Sequence, residues 1–436
     1  MERRRKTFPA VSLWKPWKLT HFFSTAKIQA LQWLSPVFHK FFYYCYCVYK
    51  YISFFLSIRE KGETIMKFTC EKYLLSLAVS TAGRAAASKS PIPALEGLLM
   101  EAGEGGVRVT GFDLKKGIYT NLAADVAEVG SVVLSAKLFG DIVRKLPDGI
   151  VTVASDEYNN VNIVCGNADY NVVGTPSEDY PELPTLDRGS RVTVSQETLS
   201  GMIAQTSFAI SANESRPVYT GALLEVENGV LTMVAVDGYR LALRKAAVDS
   251  CDVDAVQFIV PGSALSDVEK ICMSPEESVS VTVGSKHVSF SVGDTVLISR
   301  RLEGEFLNYR KTVPFEFPIQ VTAQRTDLIR CADRVSLIID DRSKNPLRCT
   351  FGDGQMTVTC STPLGRAEDV CPVEGDGGGL VIGFNNSYLL DALKAAPAEK
   401  LTVNLISGSS PCVIKPEDGS DSFLYMILPV RLRGAD

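Results

Sequence analysis

Few side chains in this sequence have the types and spacing that catalysis requires. From Met66 onward the chain holds one histidine, His287, so acid–base chemistry at neutral pH would depend on strongly perturbed carboxylates. The candidate carboxylates are Asp340, Asp341 and Asp353, which leave a carboxylate-based hydrolase of α+β fold as an alternative interpretation. No phosphate-binding G-x-x-x-x-G-K segment and no nucleophile elbow accompanies them, which makes catalysis the weaker interpretation.

Cysteine gives no stronger signal of a chemical site. The chain has 11 cysteines, scattered without any C-x-x-C pair. A dispersed, odd set in a long chain is typical of buried small apolar residues in a reducing cytosol. We therefore expect no disulfide, no metal and no cofactor.

Residues 1–65 differ from the rest of the chain. They carry 11 Lys and Arg against 3 Asp and Glu, whereas residues 66–436 carry 34 against 47. The aromatic run at 41–56 is short for a spanning helix and has Lys50 at its centre, and a signal-peptide cleavage site is lacking. Residues 61–63, Lys-Gly-Glu, can be encoded by a bacterial ribosome-binding sequence. We interpret 1–65 as upstream DNA that has been included in the translated sequence but does not belong to the native protein, with Met66 as the true start. We expect no membrane partner.

Two patterns recur three times in the same order. Residues 68–75 resemble 192–199 and 321–328, at offsets of 124 and 129. The second pattern is an apolar strand followed by a helix and another strand. It begins at 132, 258 and 380, once after each copy of the first pattern. Because repetition at a fixed spacing indicates repeated structural units, the chain is predicted to be three similar domains in tandem.

The predicted architecture is α+β, with three tandem copies of a doubled strand–helix–strands unit. Apolar spacing predicts first helices near 71–82, 196–210 and 323–337, and second helices near 136–146, 263–272 and 386–395. Proline-bearing joints separate the copies. We predict domains at 66–188, 189–314 and 315–436, after the leader at 1–65.

Four separated motifs carry a resemblance to a known family. Residues 66–69, 234–243, 383–390 and 425–432 together resemble the bacterial DNA polymerase III beta subunit, the replicative sliding clamp, and the likeness covers 66–432. It implies a DNA clamp fold that closes as a head-to-tail homodimer into a ring of six domains around double-stranded DNA. It implies a non-catalytic processivity factor of the bacterial cytoplasm. Its partners would be the replicative polymerase, the clamp loader and repair proteins, bound through short linear peptides.

The charge distribution suits such a ring. The six predicted helical windows carry a net charge of +3, whereas the rest of residues 66–436 carries −16. Basic helices inside an acidic body favour contacts with DNA phosphates that do not depend on base sequence. The middle domain fits least well, because both of its helical windows are net negative.

The resemblance assigns candidate DNA contacts in the first two domains. The motif matches for DNA binding are Lys89, Lys137, Arg144, Asn213 and Arg216. The loop at 213–219 lacks the paired tyrosines of the family at Pro217 and Val218, and Ser263 stands where the family can carry a lysine. These departures weaken the prediction for the second domain.

The resemblance also assigns a hydrophobic groove between the second and third domains. Met and aromatic side chains in apolar walls suit a groove that accepts different short peptides. The matched positions are Val236, Gly238, Tyr239, Arg240, Leu241, Leu307, Lys311, Thr312, Asn385, Tyr388, Met426, Leu428, Pro429, Val430 and Arg431. Leu241 and Leu428 have an alternative interpretation as plain core residues.

The predicted dimer interface joins the first domain to the third. Tyr170, in the alternating strand at 169–172, matches an aromatic interface residue of the family. Ile338 and Ile339 match its apolar pair at the end of the first helix of the third domain. We expect these three apolar side chains to be exposed in a single chain and covered in the dimer.

Overall fold

The computed structural model describes residues 64–186, 189–340 and 345–432. The interpretation of 1–65 as upstream sequence therefore falls almost entirely outside the described residues, as do Asp341 and the tail at 433–436. Apart from residues 156–158, the described residues from 65 to 432 form one compact unit.

Seven α-helices occur in the described part of the chain, six of them long and one a single turn. They are α1 (Lys72–Ala82), α2 (Ala136–Lys145), α3 (Gln196–Thr206), α4 (Gly262–Ile271), α5 (Tyr309–Thr312), α6 (Arg325–Ser336) and α7 (Asn386–Ala395). The six long helices are those predicted. The largest difference is at α3, which ends four residues early and continues as a 3-10 turn over Ser207–Ala209. There the Thr206 hydroxyl donates to the Met202 carbonyl at 2.8 Å, a local bond of the kind that perturbs helices.

The strands follow the same threefold plan. The first domain contains β1 (Thr64–Glu71), β2 (Gly97–Gly103), β3 (Gly106–Phe112), β4 (Lys116–Leu122), β5 (Asp125–Glu128), β6 (Gly130–Ser135), β7 (Ile150–Asp156), β8 (Asn160–Cys165) and β9 (Ala168–Val173). The second contains β10 (Ser190–Ser195), β11 (Gly221–Glu227), β12 (Val230–Val236), β13 (Arg240–Ala247), β14 (Ser250–Cys251), β15 (Ala255–Pro261), β16 (Ser278–Val283), β17 (His287–Val292) and β18 (Thr295–Arg300). The third contains β19 (Ile319–Gln324), β20 (Leu347–Thr362), β21 (Gly365–Phe384), β22 (Lys400–Leu405), β23 (Cys412–Pro416) and β24 (Phe423–Ile427).

Two of the three sheets run across domain boundaries. The nine-stranded sheet has the order β14-β10-β16-β17-β18-β4-β3-β2-β6, so β18 of the second domain pairs with β4 of the first. The ten-stranded sheet has the order β15-β11-β12-β13-β24-β23-β22-β19-β21-β20, so β24 pairs with β13. The five-stranded sheet, β5-β1-β7-β8-β9, belongs to the first domain alone. Strand pairing therefore joins consecutive domains edge to edge.

The helices cover one face of these sheets and enclose the cores. In the first domain Phe68, Leu75 and Phe139 are fully buried between β1, α1 and α2. A second, larger core runs through the second and third domains and includes Met202 and Tyr425. The nine cysteines of the described residues all have free thiols, and seven of them are buried.

Candidate functional sites

The turn between β12 and β13 forms the centre of the predicted groove. Gly238 has a φ of +94°, a left-handed conformation that glycine adopts without strain. The Asp237 carboxylate accepts hydrogen bonds from the backbone N–H groups of Tyr239 (2.9 Å) and Arg240 (3.0 Å). The turn is therefore rigid, and it presents Tyr239 with 61% of its surface exposed.

Arg240 joins the second domain to the third. Its Nε lies 2.9 Å from Asp237 Oδ2 and its Nη1 lies 2.7 Å from Asp391 Oδ2 on α7. Its guanidinium carbon lies 4.4 Å from the ring centroid of Tyr388 and 5.3 Å from that of Phe208. Such a side chain is held by charge-assisted hydrogen bonds and cation–π contacts together. Both carboxylates that pair with Arg240 belong to the chain itself. The role of Arg240 is therefore to hold the walls of the groove in position.

The ring of Tyr388 forms one wall of the groove. It stacks on Tyr239 with 6.1 Å between centroids and 27° between ring planes. Asn385 sets its position, because the Asn385 side chain accepts from the Ser387 and Tyr388 N–H groups at the start of α7. Burial is the main cause that raises the pKa of the Tyr388 hydroxyl, which remains a donor at neutral pH.

The apolar floor is more deeply buried than the sequence predicts. Val236, Leu241 and Met426 are at most 5% exposed, and Leu241 pairs with Met426 across β13 and β24. These three side chains form the packed layer under the groove. Beyond β24 the chain crosses the groove's edge, where Leu428 and Pro429 are half-buried.

Two backbone hydrogen bonds hold this last segment in place. Leu428 N donates to Tyr239 O at 2.8 Å, and Val430 N donates to Gly383 O at 2.8 Å. Val430 and Arg431 are exposed. The segment after β24 therefore lies beside the Tyr239 turn, as the motif match predicts.

The linker between the second and third domains supplies the opposite side. Leu307 is half-buried, whereas Lys311 and Thr312 on α5 are exposed. Tyr309 anchors the linker, since its hydroxyl donates to Glu225 at 2.6 Å and Arg310 lies 3.1 Å from the same carboxylate. Burial and this hydrogen bond raise the pKa of the Tyr309 hydroxyl, which keeps it in its donor form.

Sequence patterns missed the residues that hold the groove together. Asp391, Phe208, Tyr309 and Glu225 make these contacts, and none belongs to the matched motifs. One signal was available for Asp391, because each second helix carries an aspartate at its sixth residue.

The candidate DNA contacts are all exposed. Lys137 and Arg144 lie on α2, where Arg144 Nη1 pairs with Asp141 at 2.8 Å. Lys89 lies in the loop between α1 and β2, and Asn213 and Arg216 lie in the equivalent loop between α3 and β11. The structure thus places these five residues on α2 and on two equivalent loops.

The predicted interface residues are less exposed in the single chain than expected. Tyr170, Ile338 and Ile339 are half-buried against the cores and do not project freely. Helix α6 ends at Ser336, and the next residues form a turn in which Ile339 N donates to the Ser336 carbonyl at 2.9 Å. The neighbouring Leu337 is more exposed, with 84% of its surface accessible. The assignment of Tyr170, Ile338 and Ile339 to a dimer interface stays a prediction.

The described residues also limit other kinds of site. Among them no group of three or more His, Cys, Asp and Glu side chains is placed to hold a metal ion. None of the helices in the described ranges is long and apolar enough to cross a membrane. Asp353 lies in the interior of β20, where the strand register is irregular.

Comparisons with known proteins agree with the threefold architecture. Models of the DNA polymerase III beta subunit match in tandem, the N-terminal domain at 66–184, the central domain at 193–308 and the C-terminal domain at 310–431. The chain belongs to the DNA polymerase III beta subunit family. The family resemblance and the clamp fold inferred from the sequence are thereby confirmed.

Individual relatives align over their whole length. The beta sliding clamps of Staphylococcus aureus and Staphylococcus epidermidis are each 31% identical over 377 residues, covering 84% of this chain and 100% of theirs. The crystal structure of the DNA polymerase sliding clamp from Bacillus subtilis is 28% identical with a TM-score of 0.80, covering 84% of this chain and 99% of that one. A sliding clamp from Pseudomonas aeruginosa, solved bound to griselimycin, is 25% identical with a TM-score of 0.79, covering 84% and 100%.

Proposed function

We propose that this protein is a non-catalytic DNA sliding clamp, which encircles duplex DNA and tethers the replicative polymerase in the bacterial cytoplasm. The observation that carries the proposal is the tandem match of all three beta-subunit domains over residues 66–431. The hydrolase alternative is not supported, since the whole matched length is accounted for by a polymerase subunit and relatives named beta sliding clamp.

Ring closure follows from the way strands join the domains. At the two junctions within the chain, the last strand of one domain pairs with the fourth strand of the preceding one, as β18 with β4 and β24 with β13. Two segments occupy the equivalent positions at the two ends of the row of domains. They are β9, the last strand of the first domain, and residues 365–372 of β21, which correspond to β4 and β13. Within the described residues each of them has a strand partner on one side only. Open edges of this kind favour pairing with another chain.

A second copy supplies the matching edges. If β9 of one subunit pairs with 365–372 of another, two head-to-tail junctions close a ring of six domains. In the register of the existing junctions, Tyr170 lies opposite Ala367, as Tyr425 lies opposite Ala242. Helix α6 packs on β21, and Arg334 in its last turn pairs with Asp369 of this edge, just before Leu337. The interface therefore includes Tyr170, Leu337 and Ile338, with Ile339 supporting them from the core.

The inner face would hold DNA through basic side chains. Helix α2 is net positive, because it carries three basic residues, Lys137, Arg144 and Lys145, and one acidic residue, Asp141. Lys89, Asn213 and Arg216 extend this set through the two equivalent loops. Such contacts with phosphates hold DNA without reading its sequence and weaken as salt increases.

The groove around Tyr239 and Tyr388 would take the peptide motifs of the polymerase, clamp loader and repair proteins. It offers aromatic rings above a buried apolar floor, which suits short peptides with apolar anchors. The residues accessible to a peptide are Gly238, Tyr239, Tyr388, Leu307, Lys311, Thr312, Leu428, Pro429, Val430 and Arg431.

Primer extension tests the function directly. The cognate replicative polymerase and clamp loader, on a singly primed circular template, should make much longer products per binding event when this protein is added. Product lengths that do not change on addition of the protein would overturn the proposal.

A further inference from the structure

The three domains carry equivalent tight turns, which lie between β3 and β4, between β12 and β13, and between β20 and β21. In each turn a side-chain oxygen of the first residue accepts from the N–H two residues later, at Asp113 to Lys115, Asp237 to Tyr239 and Thr362 to Leu364. The strand pairing has the same register on both sides of each turn. Lys115, Tyr239 and Leu364 therefore occupy equivalent positions, and so do Lys116, Arg240 and Gly365.

The second helices of the domains are equivalent as well. Helices α2, α4 and α7 each have ten residues. Their sixth residues are Asp141, Asp267 and Asp391, and their third residues are Leu138, Ala264 and Tyr388.

An ion pair closes both junctions within the chain. Lys116 pairs with Asp267 between the first and second domains, and Arg240 pairs with Asp391 between the second and third. The two residues of each pair are 151 positions apart. The turn of one domain thus contacts the second helix of the next domain in the same way at both places.

The equivalent pair is absent at the junction between subunits. There the turn position holds Gly365, which has no side chain to offer. The helix position holds Asp141, whose carboxylate already pairs with Arg144 in its own helix at 2.8 Å. This junction requires a different contact.

A second pair of equivalent positions supplies that contact. Between the second and third domains, Tyr239 of the turn stacks on Tyr388, the third residue of α7. At the junction between subunits the same positions hold Leu364, which is 78% exposed, and Leu138, which is 49% exposed.

We propose that Leu364 of one subunit packs against Leu138 of a second copy, replacing the ion pair of the other two junctions with an apolar contact. The inference rests on the proposed ring. It gives both leucines, each unusually exposed in a single chain, a partner that removes them from water. The subunit junction is then held without a salt bridge at this point, unlike the junctions inside the chain.

Charge-swap variants test the contact by sedimentation equilibrium of the full chain without DNA. Leu138→Lys and Leu364→Glu should each raise the dimer dissociation constant by about thirty-fold, because both junctions of the ring lose the contact. The double variant should recover most of this loss at low salt, because the introduced ammonium and carboxylate groups would then pair. The recovery should disappear as salt rises. Val129→Glu is the matched control, since Val129 is 67% exposed and adjoins β5, at the sheet edge opposite β9.

The outcomes separate this contact from the ring itself. A wild type that is monomeric at micromolar concentration would overturn the proposed ring. A dimeric wild type whose single variants dimerise like the Val129→Glu control would overturn the leucine contact alone. Weakening by both single variants without recovery in the double variant would mean that the two leucines meet other residues, which also overturns the pairing. Circular dichroism of each variant establishes that it is folded.

Discussion

Asp391 and Arg240 meet across the boundary between the second and third domains, with 2.7 Å between Oδ2 and Nη1. The two residues belong to α7 and β13, which are far apart in sequence. Their contact holds the guanidinium against the Tyr388 ring, and Tyr388 in turn stacks on Tyr239. The groove wall therefore depends on a carboxylate that lies outside the motifs matched in the sequence.

Removing that carboxylate's charge should weaken the groove and the domain junction together. We expect Asp391→Asn to lower the free energy of unfolding by about 1–2 kcal/mol, since Asp391 is partly exposed and Arg240 keeps Asp237. Peptide affinity should fall several-fold because Tyr388 loses its support. Urea unfolding and peptide titration measure the two effects.

Asp333→Asn is the control for that variant. Asp333 also pairs across helices, with Lys394 at 3.3 Å, but both side chains are about half exposed. An exposed pair of this kind contributes under about 1 kcal/mol. Equal losses in the two variants would contradict the special role of Asp391.

Leu428→Ala should weaken peptide binding without dissociating the dimer. A leucine side chain covered by a peptide contributes about 2 kcal/mol, which corresponds to roughly thirty-fold in affinity. Fluorescence anisotropy with a labelled C-terminal peptide of the cognate polymerase measures the change. Val129→Ala, remote from the groove, should bind like wild type, and an unchanged affinity for Leu428→Ala would remove the groove from this location.

The stability of the protein should depend on pH through His287. Burial, together with the charges of Arg300 and Lys286, lowers the pKa of this imidazole below its ordinary value. The unfolded chain then binds a proton more readily, so the contribution of His287 to stability is full above a pH of about 6.5 and decreases as pH falls. Urea unfolding from about pH 5 to 8 should show a smaller pH dependence in His287→Gln than in wild type. Parallel curves would contradict this assignment.

A protein that starts at Met66 should fold and bind peptide like the full chain. The N-terminal family match begins at residue 66, and the two staphylococcal relatives align over their whole length with 84% of this chain. Thermal unfolding and peptide titration of the two forms measure the comparison. Mass-spectrometric detection of peptides from 1–65 in the native protein would contradict the interpretation that the native protein starts at Met66.

Repetition in the sequence made most of the fold predictable. Apolar periodicity located the six long helices, and the recurrence of 68–75 at 192 and 321 gave the threefold order. The turn at Asp237 was predictable for a similar reason, because a local motif sets its own hydrogen bonds. Each of these features depends on residues that are close together in the chain.

The contacts between distant elements were not predictable in this way. Leu241 is fully buried because β24 lies beside it, a pairing that no local pattern contains. The partial burial of Ile338 and Ile339 was not predictable, because helix α6 ends at Ser336 and the turn that follows leaves Leu337 as the more exposed side chain. Asp391 was missed because its partner is 151 residues away.

Retention on closed circular DNA tests the central claim most directly, because a ring holds DNA by topology and not by affinity. The protein, loaded by the cognate clamp loader onto a nicked plasmid, should remain with the DNA through gel filtration in high salt. Cutting the plasmid once should release it, since the ring can slide off the new ends. Equal retention on circular and linear DNA, or loss from both in high salt, would contradict the account of this protein as a closed sliding clamp.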